Sequence, residues 1–409
     1  MNTELILLNI SGADQSGITS SLTEILADND AQILDIGQAD IHHTLSLGIL
    51  IKTDSERSGK IIKELLFKTR DLHVQVTFDI VTQEAYNDWV SRQGKGRYIV
   101  TILGRKISAR QISEVAKIIT NQGLNIETIT RLTGRMPLNE EEQPRAKGCI
   151  EMSVRGTPHN REKMQAEFMK LASELNFDIS FQEDTMYRRC RRLVCFDMDS
   201  TLIRTEVIDD LAVKAGVGKE VREITEAAMR GEIDFYESFT RRVALLKGLD
   251  VSVMKEIADN LPITEGVERL MTVLKRSGYK TAILSGGFTY FGESLKKRFG
   301  FDYVYANELE VGPDGRLTGK YVGDVVDGQR KKELLRLIAQ VENINIAQTI
   351  AVGDGANDLP MLSAAGLGIA FHAKPKVKAE ASQSISTIGI DGVLYFLGFK
   401  DSYYTTNKE

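Results

Sequence analysis

From Leu5 to Ile10 apolar side chains run with one break, at Asn9, as expected of a short strand over 4–11. A loop, Gly12-Ala13-Asp14-Gln15-Ser16-Gly17, follows, and the apolar spacing then widens to three and four through Leu22, Ile25 and Leu26, which predicts a helix. Strands over 32–43 and 44–52, a helix over 58–69 and a strand over 73–80 come next. The cycle then restarts with a strand over 97–103 and a helix through Ile112, Val115, Ile118 and Ile119. Strands over 125–131 and 148–155, a helix over 160–175 and a strand over 178–182 complete it. Leu22 matches Val115, Ile25 matches Ile118, Leu26 matches Ile119, Ile33 matches Ile126 and Ile36 matches Ile129, all at one offset of about 93 residues, a mark of duplication. The order βαββαβ, twice, predicts two ferredoxin-like domains at 1–84 and 97–183. Breaks are expected at 83–96, rich in polar residues, and at 182–189, where the apolar pattern lapses.

Past residue 190 the pattern changes. Short apolar runs at 193–196, 279–284 and 349–352 read as buried strands separated by helical spacing, the pattern of an α/β domain, here 191–400. A helical insertion at 206–258 is expected to cap the strand ends. The first run delivers Asp197-Met198-Asp199-Ser200-Thr201, the second Ser285-Gly286-Gly287, and the third Gly353-Asp354-Gly355-Ala356-Asn357-Asp358. Between the last two, Asp327-Gly328-Gln329-Arg330-Lys331-Lys332-Glu333 opens a helix with cations in its first turn, where they oppose the helix dipole unless an anion needs them. Charge at the end of a buried strand is costly unless something holds it, and α/β sheets bind their ligands there. Taken singly, these pieces are caps, turns and a solvated face. Together they describe Mg²⁺-assisted phosphoryl transfer, because Mg²⁺ takes one or two carboxylates, waters and phosphate oxygens.

Composition narrows the field. A chain of 409 residues is long enough for two or three domains, and 27% charged residues with a net charge of −5 argue against nucleic acid as a partner. No run is apolar enough to span a membrane, and the first residues lack a signal peptide's basic start, so a cytoplasmic protein is expected. The 3 cysteines, Cys149, Cys190 and Cys195, have no zinc or redox spacing. His42 and His43, taken as consecutive strand residues, face opposite ways and are read as structural.

The motifs at Asp197–Thr201, Ser285, Lys331 and Gly353–Asp358 resemble the four motifs of the haloacid-dehalogenase-like phosphohydrolases. Within them, the chain over residues 191–397 is similar to the phosphoserine phosphatases. The similarity lies in Glu206-Val207-Ile208-Asp209, Ile224-Thr225-Glu226-Ala227-Ala228-Met229, Phe235, Arg241-Arg242-Val243 and Ser285-Gly286-Gly287-Phe288. The two N-terminal repeats resemble ACT domains, so the whole looks like the long, mycobacterial-type form of that family. The resemblance implies a Rossmann-like core with a helical cap, acting on O-phospho-L-serine. It implies Asp197 as nucleophile and Asp199 as general acid and base. Mg²⁺ would lie among Asp197, the backbone carbonyl of Asp199 and Asp354. Asp358 would support the metal indirectly or pair with Lys331. Ser285, Gly286, Lys331 and Asn357 would bind phosphate, and Met229 and Phe235 would close the pocket. Glu206 and Arg242 would clamp the substrate's amine and carboxylate, although Arg242 could instead salt-bridge Glu237 or Glu206 on the cap. An amino acid such as L-serine would bind the first repeat at Gly12, Asp14 and Gly17 and regulate a homodimer or higher homo-oligomer. The matching loop of the second repeat, Gly104-Arg105-Lys106-Ile107-Ser108, lacks the aspartate and later glycine. A phosphatase for another small phosphomonoester, and an amino-acid sensor with a vestigial phosphatase half, are the alternatives.

Overall fold

The structure is a computed structural model that describes residues 3–91, 96–135, 146–381 and 383–403. The chain divides into two compact units, Met1–Lys95 and Gly96–Glu409. In the first, strands β1 (Thr3–Ala13), β2 (Gln32–Ile41), β3 (Thr44–Asp54) and β4 (Val74–Val81) form an antiparallel sheet in the order β2-β3-β1-β4. Helices α1 (Ile18–Asp28) and α2 (Ser55–Asp71) cover it, burying Leu22, Leu26, Ile61 and Leu65 against Ile6, Leu8, Ile49 and Ile51. His42 and His43 do not lie on a strand: both have positive φ, 52° and 62°, and form the two-residue turn between β2 and β3. Both residues at positive φ is the turn geometry that matches the twist of a hairpin. The stretch after β4, expected as a break, carries a further helix, α3 (Gln83–Ser91), started by the Thr82 hydroxyl, which accepts the Ala85 N–H at 3.1 Å.

The second unit repeats the pattern with β5 (Arg97–Gly104), α4 (Ala109–Asn121), β6 (Asn125–Arg131), β7 (Gly148–Arg155), α5 (Arg161–Glu174) and β8 (Asp178–Glu183) in sheet order β6-β7-β5-β8. Val115 and Ile119 are buried like their counterparts Leu22 and Leu26, while Ile36 and Ile129 are both exposed. The duplicated pattern thus fixes burial as well as topology. After α6 (Met186–Arg189) comes a seven-stranded sheet built from β9 (Leu193–Phe196), β10 (Lys280–Phe288), β11 (Tyr303–Val311), β12 (Leu317–Val322), β13 (Thr349–Gly353), β14 (Leu367–Phe371) and β15 (Gln383–Ile385). Its order is β12-β11-β10-β9-β13-β14-β15, parallel except at β12. Between β9 and β10 lie α7 (Val207–Ala215), α8 (Gly218–Met229), α9 (Phe235–Leu245), α10 (Ser252–Asp259) and α11 (Val267–Arg276). The other helices, α12 (Thr289–Phe299), α13 (Gly328–Val341), α14 (Leu359–Ala364), α15 (Pro375–Glu380) and α16 (Gly392–Phe396), complete the layers.

The lapse in pattern near residue 185 does not separate the second repeat from the core. Asp178, at the start of β8, accepts the Ser386 and Thr387 N–H groups at 2.7 and 3.0 Å. The Gln383 side chain exchanges both hydrogen bonds with the Phe181 backbone, each 3.0 Å. Leu103, Leu132 and Cys149 share one buried cluster with Leu394 and Phe396. These pairs lie more than two hundred positions apart, and no local periodicity reports them.

Candidate active site

Strand β9 lies between β10 and β13, its neighbours on either side coming from successive later parts of the chain. Such a switch in strand order opens a crevice at the C-terminal strand ends. There β9 delivers Asp197, whose N–H donates to the Val352 carbonyl at 2.9 Å, β10 carries Ser285, and β13 leads into Asp354. Lys331 reaches the same point from the first turn of α13, whose N-cap Asp327 accepts the Arg330 N–H at 2.7 Å. The Lys331 side chain is fully buried, and its Nζ donates to Asp197 Oδ1 and Asp358 Oδ1, both at 2.7 Å. Burial by itself would lower its pKa, but the two carboxylates hold it above the ordinary lysine value. Its neighbour Arg330 turns outward and pairs with Glu333 at 3.1 Å. The cationic first turn therefore supplies one inward charge.

Glycine makes this crowding possible. A Cβ on Gly353 would lie 2.4 Å from Asp358 Cγ, so only glycine lets Asp358 fold back over the strand end, where it also accepts the Gly355 N–H at 3.0 Å. Asp197, Asp354 and Asp358 each offer a carboxylate oxygen within 4.8 Å of the others. Burial and the Asp358 carboxylate push the Asp354 carboxyl up to about 7, and the same two causes push Asp197 upward against the pull of Lys331. Three carboxylates facing one ammonium leave the group short of positive charge, and hard oxygen donors at this spacing suit Mg²⁺. Asp199 is not one of these three carboxylates: its Oδ1 accepts the Val207 N–H at the start of α7 at 3.1 Å. Burial, then the nearby Glu206 carboxylate, hold its carboxyl well above the usual range.

Ser285-Gly286-Gly287 does not form a loop directly at a helix start. It continues β10 as far as Phe288, through an irregularity in the pairing with β11 between Leu284 and Phe288. Ser285 Oγ accepts the Gly287 N–H at 2.9 Å, and a Cβ on Gly287 would lie 2.3 Å from Asp199 Oδ2. Two residues to which the sequence assigned no role shape the site. Asn307, on β11 and 2% exposed, donates to the Gly286 carbonyl at 2.8 Å and accepts the Val326 N–H at 2.8 Å, fixing the irregular strand end. Its signal was a lone amide at the end of the apolar run 303–306, next to Glu308. The Thr201 hydroxyl, fully buried, donates to Asp354 Oδ1 at 3.3 Å. Asn357 lies beside Gly355, where a Cβ would fall 2.1 Å from its Oδ1.

Helices α7 and α9 supply the charges above these strand ends. Glu206, at the N-cap of α7, accepts the Ser200 hydroxyl at 2.9 Å, and Ser200 is held at φ 56°, a strained region for a side-chain-bearing residue. Burial raises the Glu206 pKa; Arg242 and Lys331 oppose the rise. Arg242, on α9, donates from Nε to the Ser238 carbonyl at 3.3 Å and has no ion pair among the described residues. Its neighbour Arg241 takes Glu237, at 2.5 Å. Burial lowers the Arg242 pKa while Glu206, Asp209 and Asp199 oppose it. Phe235 stacks on Phe239 with ring centroids 6.1 Å apart and lines a cavity of about 380 Å³ with Asp234, Tyr236, Val325 and Asp327. Met229 ends α8, and its side chain lies outside the described residues.

In the first unit, Asp14, Gly17, Gln38 and Leu45 line a separate cavity of about 290 Å³, and Gly17 caps α1 at φ 96°. Gly12 is not among its walls. It belongs to β1, where a Cβ would press 2.8 Å from Val74 Cγ1. The corresponding loop of the second repeat is engaged elsewhere: Arg105 forms a two-pronged pair with Glu265 at 3.0 and 2.7 Å.

A family model for haloacid dehalogenase-like hydrolases matches residues 191–366, and ACT-domain models match 4–79 and 97–182. The chain is 38% identical to a phosphoserine phosphatase of Streptomyces coelicolor, covering 96% of this chain and 92% of that protein. The chain belongs to the phosphoserine phosphatase family. Phosphoserine phosphatase SerB2 of Mycobacterium tuberculosis is 37% identical over 96% of this chain and 93% of its own length. The crystal structure of a probable phosphoserine phosphatase of Vibrio cholerae, unliganded, aligns with a TM-score of 0.59 at 34% identity, covering 73% of this chain and 86% of that one. As a member of this family the chain is a hydrolase with two ACT domains ahead of its phosphatase core.

Proposed function

We propose that the chain hydrolyses O-phospho-L-serine to L-serine and phosphate with Mg²⁺, through an aspartyl-phosphate on Asp197. This is the last step of L-serine biosynthesis, placed here in the cytoplasm. Among the described residues no helix is long and apolar enough to cross a membrane. The observation that carries the mechanism is the contrast between two carboxyls two residues apart. Burial pushes both carboxyls upward, but Asp197 Oδ1 accepts the Lys331 ammonium at 2.7 Å, whereas Asp199 Oδ1 accepts only the Val207 N–H, at 3.1 Å. One can attack while the other gives a proton.

Asp197, the Asp199 carbonyl and Asp354 would hold the metal, with Asp358 and Thr201 orienting them. When bound, Mg²⁺ supplies the missing positive charge, keeping Asp197 ionised and neutralising phosphate oxygens. Asp197 attacks phosphorus; the Asp199 carboxyl protonates the departing serine oxygen, then takes a proton from the water that cleaves the aspartyl-phosphate. Ser285, the Gly286 N–H and Asn357 receive the transferring oxygens, and Lys331 balances their charge. Arg242 takes the substrate carboxylate and Glu206 its ammonium, so that two opposite charges orient one zwitterion. Helices α7 to α10 act as the cap, and Phe235 excludes water. L-Serine binding in the 290 Å³ cavity at Asp14 and Gly17 regulates the enzyme in a homodimeric or larger assembly.

The test is phosphate release from O-phospho-L-serine with Mg²⁺, then with EDTA. Turnover should require the metal, and Asp197→Asn should lose on the order of a thousandfold or more in kcat. Activity above about a tenth of the parent enzyme in Asp197→Asn would refute the covalent route.

A further inference from the structure

The end of the core sheet opposite the crevice holds a larger cavity, about 880 Å³, between the second repeat and the phosphatase core. Its walls include α5 and β8 on one side (Met169, Phe181), the short α6 segment (Tyr187, Arg188), and Gly366, Leu367 and Gln383 on the other. Three arginines line it: Arg161, which is paired with Glu183, and the buried Arg188 and Arg191, each 5% exposed. Arg188 pairs with Glu151 at 2.6 Å, yet its Nε has no partner. Arg191 has no carboxylate at all among the described residues. Its Nη2 donates to Gln182 Oε1 at 3.1 Å and its Nη1 makes a long contact of 3.4 Å to the Thr349 carbonyl, while its Nε is likewise unpartnered. Burial, reinforced by the Arg188 charge, lowers the Arg191 pKa to about 10.

A buried guanidinium without a counter-charge is costly to desolvate, and the two hydrogen bonds of Arg191 go to neutral groups that bring no negative charge. The charge of Arg188 beside it, although paired with Glu151, adds like-charge repulsion. The acids in the same wall do not answer the deficit: Glu183 is taken by Arg161, and Glu162 is exposed. The space is far larger than a single ion needs, and Phe181, Met169 and Tyr187 give it apolar and aromatic surface, the composition of small-molecule sites. We infer that this cavity is a binding site for a small organic anion. A phosphate, sulfonate or carboxylate would meet Arg191 and Arg188, and an apolar or planar body would lie along Phe181, Met169 and Tyr187. The site is distinct from the catalytic crevice, because Arg191 precedes β9 whereas Asp197 follows it.

The probe is 1-naphthalenesulfonate, an anion with an apolar body and no bond for a phosphatase to cleave, titrated calorimetrically into the full chain. One saturable site per chain is expected. Arg191→Met should weaken it at least tenfold, without lowering Tm in the absence of probe, since a shorter, unbranched apolar side chain replaces an uncompensated buried charge. Ala166→Trp, on α5 at the cavity wall, should fill the space and abolish binding while leaving both arginines in place. Binding that survives both changes within about twofold, or an absence of saturable binding to the parent chain, would overturn the inference. So would a lowered Tm in Arg191→Met with probe affinity unchanged, which would make Arg191 a brace between β8 and β13.

Discussion

Arg241 and Arg242 stand side by side in sequence and differ in everything that matters for substrate choice. On α9 successive residues point about 100° apart, so Arg241 meets Glu237 one turn back, while Arg242 faces Glu206 and Asp209 without closing an ion pair. Replacing Arg242 by Met should therefore leave a substrate carboxylate unpaired, costing about 2–5 kcal/mol in kcat/KM for O-phospho-L-serine. Phosphoethanolamine, which lacks that carboxylate, should lose far less; equal losses on both would return Arg242 to a structural role. Asp354 carries the clearest pH signature. Its carboxyl is raised from the ordinary value to about 7, first by burial and then by Asp358. Between the unfolded carboxylate range and pH 7 the folded state then holds more protons than the unfolded one, so the metal-free protein loses stability as pH rises through that window. Mg²⁺ must displace the same proton. Its affinity should rise about tenfold per pH unit below 7 and level off above it, as titration calorimetry at several pH values can read. A flat profile between pH 5.5 and 7.5, roughly, would remove Asp354 from the metal set.

At the scale of elements, duplicated βαββαβ units have diverged through one loop. In the first, the connection from β1 to α1 encloses the cavity at Asp14 and Gly17; in the second, the same connection is pinned by Arg105 to Glu265. The missing aspartate and glycine of the second loop thus coincide with a change of use, from open pocket to docking contact. Gly17 tests the first. At φ 96° it has open space where a Cβ would sit, with Ser20 Oγ 4.0 Å away, so the obstacle to a side chain is the backbone conformation. Gly17→Val should cost about 1–2 kcal/mol locally and reshape the loop. The expected outcome is loss of any L-serine effect on turnover with Mg²⁺-dependent basal rates kept. A full L-serine response in that variant would assign the effect to product inhibition in the catalytic crevice instead.

For the whole molecule, the boundary that matters lies near residue 95 and not near 185. The second repeat shares its core with the phosphatase through Leu103, Leu132 and Cys149, and Asp178 and Gln383 close backbone bonds across the junction. A chain beginning at Gly96 should fold cooperatively and keep most of its turnover. One beginning at Thr185 uncovers that apolar surface and orphans those bonds, and its Tm should fall by about 10 °C or more. Thermal unfolding of the two chains, alongside the full one, decides between them; equal Tm values would mean the shared core contributes little.

The sequence by itself determined most of the elements and where along the chain the acids of the candidate site stand. Local runs and spacings of apolar residues located the strands of both repeats, together with β9, β10 and β13, whether one face is buried, as in β3, or both, as in β9 and β13. The acids at strand ends were legible for the same reason: Asp197, Asp354 and Asp358 each follow a short apolar run that cannot hold charge unaided. Only the tertiary structure decided which of three adjacent cations turned inward, that Asn307 steadies Gly286, that His42 and His43 form a turn, and that the second repeat is joined to the core. Each of these depends on partners distant in sequence or on a backbone conformation set by its surroundings. The burial that fixes them comes from the packed whole and leaves no period along the chain.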